Sequence, residues 1–186
     1  MWKLNVYSIL RPEVETWASR PPAPRDNWGM ENIMKSGIIS ARHGSYDSKC
    51  NLNDAGKGQM HKLATAIKDI ANGHNLDIYL LCSAAPRAQQ GAPIIAEILQ
   101  IPNNRVTFHE SLWHDNTHRC DCKEVKRLVE SAVDNGSLSI FLSHLDTAPA
   151  VTIYALKKFG RSQRPGGDLY YGQGVFITQN DMRILP

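Results

Sequence analysis

The segment Gly37-Ile38-Ile39-Ser40-Ala41-Arg42-His43-Gly44 joins an apolar run to a cation, an imidazole and a glycine. Residues 37–41 predict a buried strand, so the next three residues fall at its carboxyl end, where open α/β sheets hold their ligands. A fixed positive charge, a titratable ring and a residue that lets backbone approach a ligand suit an oxyanion that is bound and then attacked. Because three residues alone are weak evidence, their meaning depends on the rest of the chain.

Length and composition predict one globular domain. The chain has 186 residues, of which 42% are hydrophobic and 21% charged, as is ordinary for a globular protein of this size. A formal charge of +3 without a run of five basic residues does not favour a nucleic-acid partner. The sequence predicts no signal peptide and no membrane span or membrane partner. Four cysteines without a secreted disulfide pattern favour a cytoplasmic location.

Residues 1–36 differ in composition from residues 37–186, and we interpret them as an N-terminal arm ahead of a single domain. Three of the four tryptophans fall in this arm: Trp2, Trp17 and Trp28. Its prolines, at 21, 22 and 24, favour an extended path, whereas the tryptophans favour packing on an apolar surface. We expect the arm to pack along its own domain rather than cross to a second copy, and the oligomeric state stays open.

From residue 37 onward, strand-like runs alternate with segments of helical periodicity. The predicted strands cover residues 37–41, 78–82, 106–108, 138–142 and 170–178. The predicted helices lie around residues 60–71, 88–99, 125–133 and 148–159. Asn53 or Asp54 is available to cap the first helix. The alternation predicts an α/β fold, a three-layer α/β/α sandwich with a mostly parallel central sheet.

Three predicted strands end in residues that suit phosphate chemistry. Arg42 and His43 follow the first strand, Arg87 lies past the second, and His144 ends the fourth. Because parallel strands present their carboxyl ends at one edge, we expect these side chains to converge. Guanidiniums stay charged and bind phosphate oxygens in forked pairs, and a helix N-terminus at Arg87 adds positive potential. We expect the positive charges of the arginines to lower the pKa of one histidine, so that its ring is neutral and nucleophilic at pH 7. The second histidine could then donate a hydrogen bond to the phosphoryl group.

The ordered set of motifs resembles the histidine phosphatase superfamily, also called phosphoglycerate-mutase-like. The resemblance covers residues 37–178 in the family's order. It consists of the RHG triplet at 42–44, the segment LNDAGKGQ at 52–59, Ser83 leading to Arg87, and a late strand ending in His144. The short bacterial phosphohistidine-phosphatase-like members are the most similar in layout.

The resemblance implies that His43 is the nucleophile that becomes phosphohistidine. It implies that Arg42, Arg87 and His144 form the phosphate pocket and that no metal or other cofactor is required. Short members lack the inserts that roof the site in mutases, so an open site is implied. Gly91 stands where most members carry threonine, and we expect it to leave space near the pocket.

The general acid is left open between two residues. In mutase-like members a glutamate shortly after the third strand protonates the leaving group, and Glu110 lies in that place. The acid-phosphatase branch uses an aspartate next to the late histidine, which makes Asp146 a rival although Leu145 intervenes. Short members can lack a clear acid altogether.

The favoured hypothesis is a metal-independent phosphatase that acts on a phosphorylated small molecule or a phosphoprotein, carrying a phosphomonoester or a phosphohistidine. The alternatives are a phosphate-binding module that turns over poorly and a mutase-type phosphotransferase, which the missing inserts disfavour. A cluster of possible metal ligands comprises His114, His118, Cys120 and Cys122. Its Cys-x-Cys spacing is unlike common zinc knuckles, so we interpret it as part of a surface connection.

Overall fold

The computed structural model describes residues 34–162 and 167–186. The predicted arm, with its three tryptophans, lies outside the described residues except for its last three positions. Its docking on the domain and the boundary at residue 36 therefore stay predictions.

The described residues build one mixed sheet. Its strands are β1 (Gly37–Arg42), β2 (Ile78–Ser83), β3 (Val106–His109), β4 (Leu138–Ser143), β5 (Gly174–Ile177) and β6 (Met182–Leu185). They lie in the order β3-β2-β4-β1-β5-β6. The first four in this order are mutually parallel, and β5 runs antiparallel to both of its neighbours. The predicted mostly parallel sheet is confirmed.

Helices cover both faces of this sheet. They are α1 (Asp54–Ala71), α2 (Pro86–Leu99), α3 (Cys122–Asp134) and α4 (Ala148–Lys158). One core is formed with α1 and α2, through side chains such as Met60 and Ile95, and a second core is formed with α3 and α4, through Val129 and Val151. The predicted three-layer sandwich is confirmed. None of the helices in the described part of the chain combines the length and hydropathy needed to cross a bilayer.

The helix ends follow the sequence closely. Asn53 is the N-cap of α1, and its side chain accepts from the Gly56 amide at 2.8 Å.

Gly91, within α2, does not leave the space that we expected. It is buried, and a Cβ there would lie 3.1 Å from Met60 Sδ and 3.3 Å from Leu142 Cδ2. It therefore lets α2 pack closely on its neighbours and leaves no space beside the pocket.

The predicted last strand, 170–178, is wrong in its first half. Tyr171 and Gly172 lie in a turn in which Gly172 has a positive φ of 74°, and β5 begins only at Gly174. A sixth strand, β6, was not predicted and pairs with β5 from Gly174↔Leu185 to Ile177↔Met182. The turn places Tyr171 near the carboxyl end of β1, since the Gly172 amide donates to the His43 carbonyl at 3.1 Å.

Candidate functional site

His43 lies directly after β1 at the carboxyl edge of the sheet, and only 3% of its surface is exposed. Its Nδ1 lies 2.7 Å from the Gly44 carbonyl oxygen, and its Nε2 lies 2.9 Å from Nε of Arg87. A carbonyl can only accept and a guanidinium can only donate. The neutral ring therefore carries its proton on Nδ1 and keeps a lone pair on Nε2, which faces the Arg87 guanidinium.

The pKa of His43 is lowered to about 4. Burial is the largest cause, and the positive charges of Arg87 and Arg42 lower it further against the opposing bond to the Gly44 carbonyl. The ring is thus neutral at pH 7, as expected from the sequence. The expected cause needs correction, because loss of solvation outweighs the arginine charges.

Arg87 is the second residue of α2 and is buried, with 6% of its surface exposed. Pro86 begins the helix, and the N-cap residue Ala85 offers no side-chain acceptor. The guanidinium bridges the two histidines, because its Nη2 lies 3.0 Å from Nδ1 of His144. A fixed cation at a helix N-terminus makes this position suited to an anion.

His144 follows β4, which pairs directly with β1, and its ring centroid lies 5.0 Å from that of His43. Since Arg87 donates to Nδ1, the proton of the neutral ring is on Nε2 and is donated to Ser83 Oγ at 2.8 Å. The pKa of His144 is lowered to about 2, by burial first and then by His43 and Arg87. Ser83 thus acts on the orientation of His144, a role that the sequence pattern did not assign.

Arg42 completes the cluster. Its Nη1 donates to the Leu169 carbonyl at 2.9 Å, and its guanidinium carbon lies 3.8 Å from the ring centre of Tyr171. Its Nε is buried and has no hydrogen-bond partner among the described residues. The structure therefore brings together all four side chains that the strand ends predicted: two guanidiniums and two neutral imidazoles.

Two tyrosine rings lie close to this cluster. The rings of Tyr46 and Tyr171 lie 5.4 Å and 5.7 Å from that of His43, centre to centre. Neither residue was singled out from the sequence. Tyr46 stands three positions after His43, and Tyr171 lies in a stretch that was predicted as strand. Aromatic side chains therefore border the cluster, and the open site that the resemblance implies stays a prediction.

The fold of this chain is similar to those of several solved structures. No family model matches the sequence, and no curated protein matches it either. The protein histidine phosphatase SixA complexed with tungstate is similar in structure, with a TM-score of 0.57 at 16% identity over 80% of this chain and 93% of that one. A mycobacterial glucosyl-3-phosphoglycerate phosphatase has a TM-score of 0.54 at 12% identity, covering 82% and 96% of the two chains. The ecdysone phosphate phosphatase of Bombyx mori, complexed with tungstate, has a TM-score of 0.57 at 10% identity, covering 82% of this chain and 92% of that one.

This chain has the fold of the histidine phosphatases. The family resemblance of the motifs is confirmed at the level of the fold. In this fold the cluster of His43, Arg42, Arg87 and His144 occupies the carboxyl edge of the four parallel strands.

Unlike the histidines and arginines of the cluster, the two candidate acids are exposed side chains. Glu110 begins a short 3-10 turn after the edge strand β3; it is exposed, and no hydrogen bond or ion pair of its side chain occurs within the described residues. Asp146 is exposed in the turn before α4, where its charge acts on Cys120. Neither carboxylate is held against the histidines.

Asp115 is a nearby carboxylate that the sequence did not single out, and its charge acts on His144. Burial favours its neutral form, but hydrogen bonds outweigh burial and lower its pKa. They come from the backbone of Thr117 and His118, the Thr117 hydroxyl and the Trp113 indole. An acid held ionised in this way organises its loop and is poorly suited to donate a proton.

The possible metal ligands lie in or beside the loop 113–121. The His118 ring stacks on Trp113 at 3.8 Å between centroids, and the sulfurs of Cys120 and Cys122 are 3.6 Å apart. Residues 34–162 and 167–186 contain no group of three histidine, cysteine or acidic side chains arranged to hold a metal ion.

Proposed function

We propose that this chain is a phosphatase that works through a covalent phosphohistidine on His43. The observation that carries the proposal is the pairing of a neutral His43, whose unprotonated Nε2 faces the Arg87 guanidinium, with a second guanidinium, that of Arg42, nearby. A nucleophile and two fixed cations within one buried cluster suit the attack on a phosphate and the stabilisation of its charge. The fold supports the proposal, since the similar structures include phosphatases complexed with tungstate, a tetrahedral oxyanion.

In the proposed reaction the phosphoryl oxygens bind Arg42, Arg87 and His144. Arg87 gives up its bonds to Nε2 of His43 and Nδ1 of His144, and His144 donates its Nε2–H to a phosphoryl oxygen in place of Ser83 Oγ. The Nε2 lone pair of His43 forms a P–N bond as the bond from phosphorus to the leaving group breaks. A water molecule then attacks phosphorus, the P–N bond breaks, and its electron pair returns to Nε2. Inorganic phosphate leaves and the neutral imidazole is restored.

The Nδ1–H bond to the Gly44 carbonyl has a defined part in this sequence. It fixes the ring orientation and stabilises the positive charge that the imidazole gains as Nε2 attacks. Arg42 retains an unpartnered donor, Nε, for the phosphoryl group. The two arginines supply the charge that metal ions supply in other phosphatases.

We propose Glu110 as the acid that protonates the leaving group and later accepts the proton of the attacking water. Its position after β3 places it at the same sheet edge as the cluster. A good leaving group, such as an imidazole or an activated phenol, needs less of this help.

Brief incubation with a phosphorylated substrate, followed by denaturation, tests the intermediate. We expect an acid-labile, alkali-stable phosphoryl group on the native chain, none on His43→Ala, and full labelling of His61→Ala, which replaces an exposed histidine of α1. Turnover should persist in EDTA. Acid-stable label, or undiminished label on His43→Ala, would remove the proposed nucleophile.

A further inference from the structure

Tyr46 and Tyr171 form a pair of rings over the phosphate cluster, which we call the tyrosine pair. Their planes are nearly perpendicular, at 86°, with centroids 5.8 Å apart. Each ring also covers one guanidinium: Arg87 lies 4.9 Å from the centre of Tyr46, and Arg42 lies 3.8 Å from that of Tyr171. Both rings therefore touch the groups that would hold the phosphate.

Backbone contacts fix where the tyrosine pair stands. Tyr46 forms a β-bridge with Leu52, and the amide of its neighbour Ser45 donates to Gln59 Oε1 at 2.8 Å. Tyr171 precedes Gly172, whose amide donates to the His43 carbonyl. A Cβ at Gly172 would lie 2.5 Å from that of Gln59, so this turn packs closely on α1. The pair is part of the frame of the site rather than a pair of loose surface side chains.

The tyrosine pair is also more exposed than the buried histidines and Arg87 beside it. His43 and His144 are each 3% exposed and Arg87 is 6% exposed, whereas Tyr46 is 38% exposed. A phosphoryl group bound at His43 would therefore lie next to both rings, whose centroids are 5.4 Å and 5.7 Å from that of His43. Burial and the neighbouring Tyr171 raise the pKa of Tyr46, so its phenol stays neutral beside an anionic substrate.

We propose that Tyr46 and Tyr171 select substrates whose phosphoryl group is carried on a planar ring, attached directly or through one methylene. The inference rests on the proposed phosphatase function and adds a substrate class to it. Aromatic side chains gain from offset or edge-to-face contact with a second ring beyond what burial alone provides. That gain corresponds to a preference of about 2- to 13-fold for a planar ring over a saturated ring of similar size.

Binding of two matched phosphonates tests the selection without requiring turnover. Benzylphosphonate and cyclohexylmethylphosphonate carry the same anionic group and differ in the planarity of the ring. We expect the native chain to bind the benzyl compound more tightly, by the factor given above, in isothermal titration. The ratio of the two dissociation constants should fall towards 1 in Tyr46→Leu and Tyr171→Leu and persist in Tyr46→Phe and Tyr171→Phe.

Tyr79→Leu is the matched control, because Tyr79 is 37% exposed and lies near the start of β2, away from the carboxyl edge. It should keep the native ratio. Equal binding of the two phosphonates, or a ratio unchanged in both leucine variants, overturns ring selection while the phosphate site stands. If neither phosphonate nor tungstate binds, the proposed phosphate site itself fails and the selection with it.

Discussion

The ring of His43 has a different neighbour at each nitrogen, and the two neighbours differ in what they offer. The Gly44 carbonyl only accepts a hydrogen bond and the Arg87 guanidinium only donates one, so the position of the proton follows from their placement. The same guanidinium orients His144, because its Nη2 donates to Nδ1 of that ring. One guanidinium therefore sets the tautomers of both imidazoles, and its replacement would disturb more than the binding of phosphate.

The proposed acid can be separated from the nucleophile by the choice of leaving group. We expect Glu110→Gln to lower the rate of hydrolysis of an alkyl phosphate by about 10²- to 10⁴-fold, the usual range for general acid catalysis. The loss should be smaller with p-nitrophenyl phosphate, because its phenolate leaves without a proton. Steady-state kinetics on both substrates measure the difference.

Glu97→Gln, which replaces an exposed glutamate of α2, should leave both rates unchanged. An equal loss on the two substrates would assign Glu110 a positioning role instead. A loss that depends on the leaving group in Asp146→Asn alone would move the acid function to Asp146.

Residues at strand ends could be predicted from the sequence, and residues in turns could not. Arg42, His43 and His144 follow apolar runs whose pairing in a parallel sheet is a general property, so their convergence was foreseeable. Tyr46 and Tyr171 reach the same place through hydrogen bonds between distant segments, as in the Gly172 amide bonded to the His43 carbonyl. No local pattern encodes such a contact.

At the scale of elements, the segment after β1 packs closely against the first turn of α1. A Cβ on Gly44 would lie 2.7 Å from Gly56 Cα, and one on Gly56 would lie 2.7 Å from Leu52 Cδ2 and would also collide with the Ser45 carbonyl. Asn53 strengthens the contact, because its backbone amide and its side chain both bond Ser45. The helix thereby holds the segment that carries His43 and Tyr46.

Two glycines of α1 provide a matched pair of tests. Gly56→Ala should destabilise the fold by about 1–3 kcal/mol through overpacking, and it should weaken tungstate binding because the segment at Gly44 is displaced. Gly58 has no atom within 4 Å of an added Cβ. Gly58→Ala should therefore raise the free energy of unfolding by roughly 0.5–1 kcal/mol, as expected for glycine in a helix, and leave tungstate binding unchanged.

Urea denaturation and isothermal titration measure these two effects. Similar stability of the two variants would contradict the proposed close packing. Loss of stability without loss of tungstate binding would show that α1 does not control the geometry of the site.

The helices were predictable because each keeps an apolar face over several turns, whereas the end of the sheet was not. The stretch 170–178 contains enough apolar residues to suggest one strand, but the turn at Gly172 divides it. The strand β6, Met182–Leu185, is short and partly exposed. It is defined by its pairing with β5, and pairing between strands is invisible in the pattern of a single segment.

At the scale of the whole molecule, the sheet order makes the two histidines buried. β4 and β1 lie in the middle of the order β3-β2-β4-β1-β5-β6, so the residues that follow them emerge between both helix layers. The fold thus removes solvent from the same two rings that it surrounds with Arg42 and Arg87. The neutrality that the proposed chemistry needs is a consequence of this architecture, and it makes stability depend on pH.

We predict that the protein loses stability as the pH falls from 6.5 to 4. An unfolded histidine has a pKa near 6.5, and that of folded His43 is about 4, so between these values the unfolded chain binds more protons. The stability that His43 contributes is complete above pH 6.5 and decreases by about 3 kcal/mol down to pH 4. His144, with its pKa also lowered by burial, changes stability in the same direction.

Urea denaturation from pH 7 to pH 4 measures this effect. The free energy of unfolding should decline more steeply for the native chain than for His43→Asn or His144→Asn. His61→Asn, on the exposed face of α1, should follow the native curve. Parallel curves for all four proteins would mean that the two rings are not held neutral by burial.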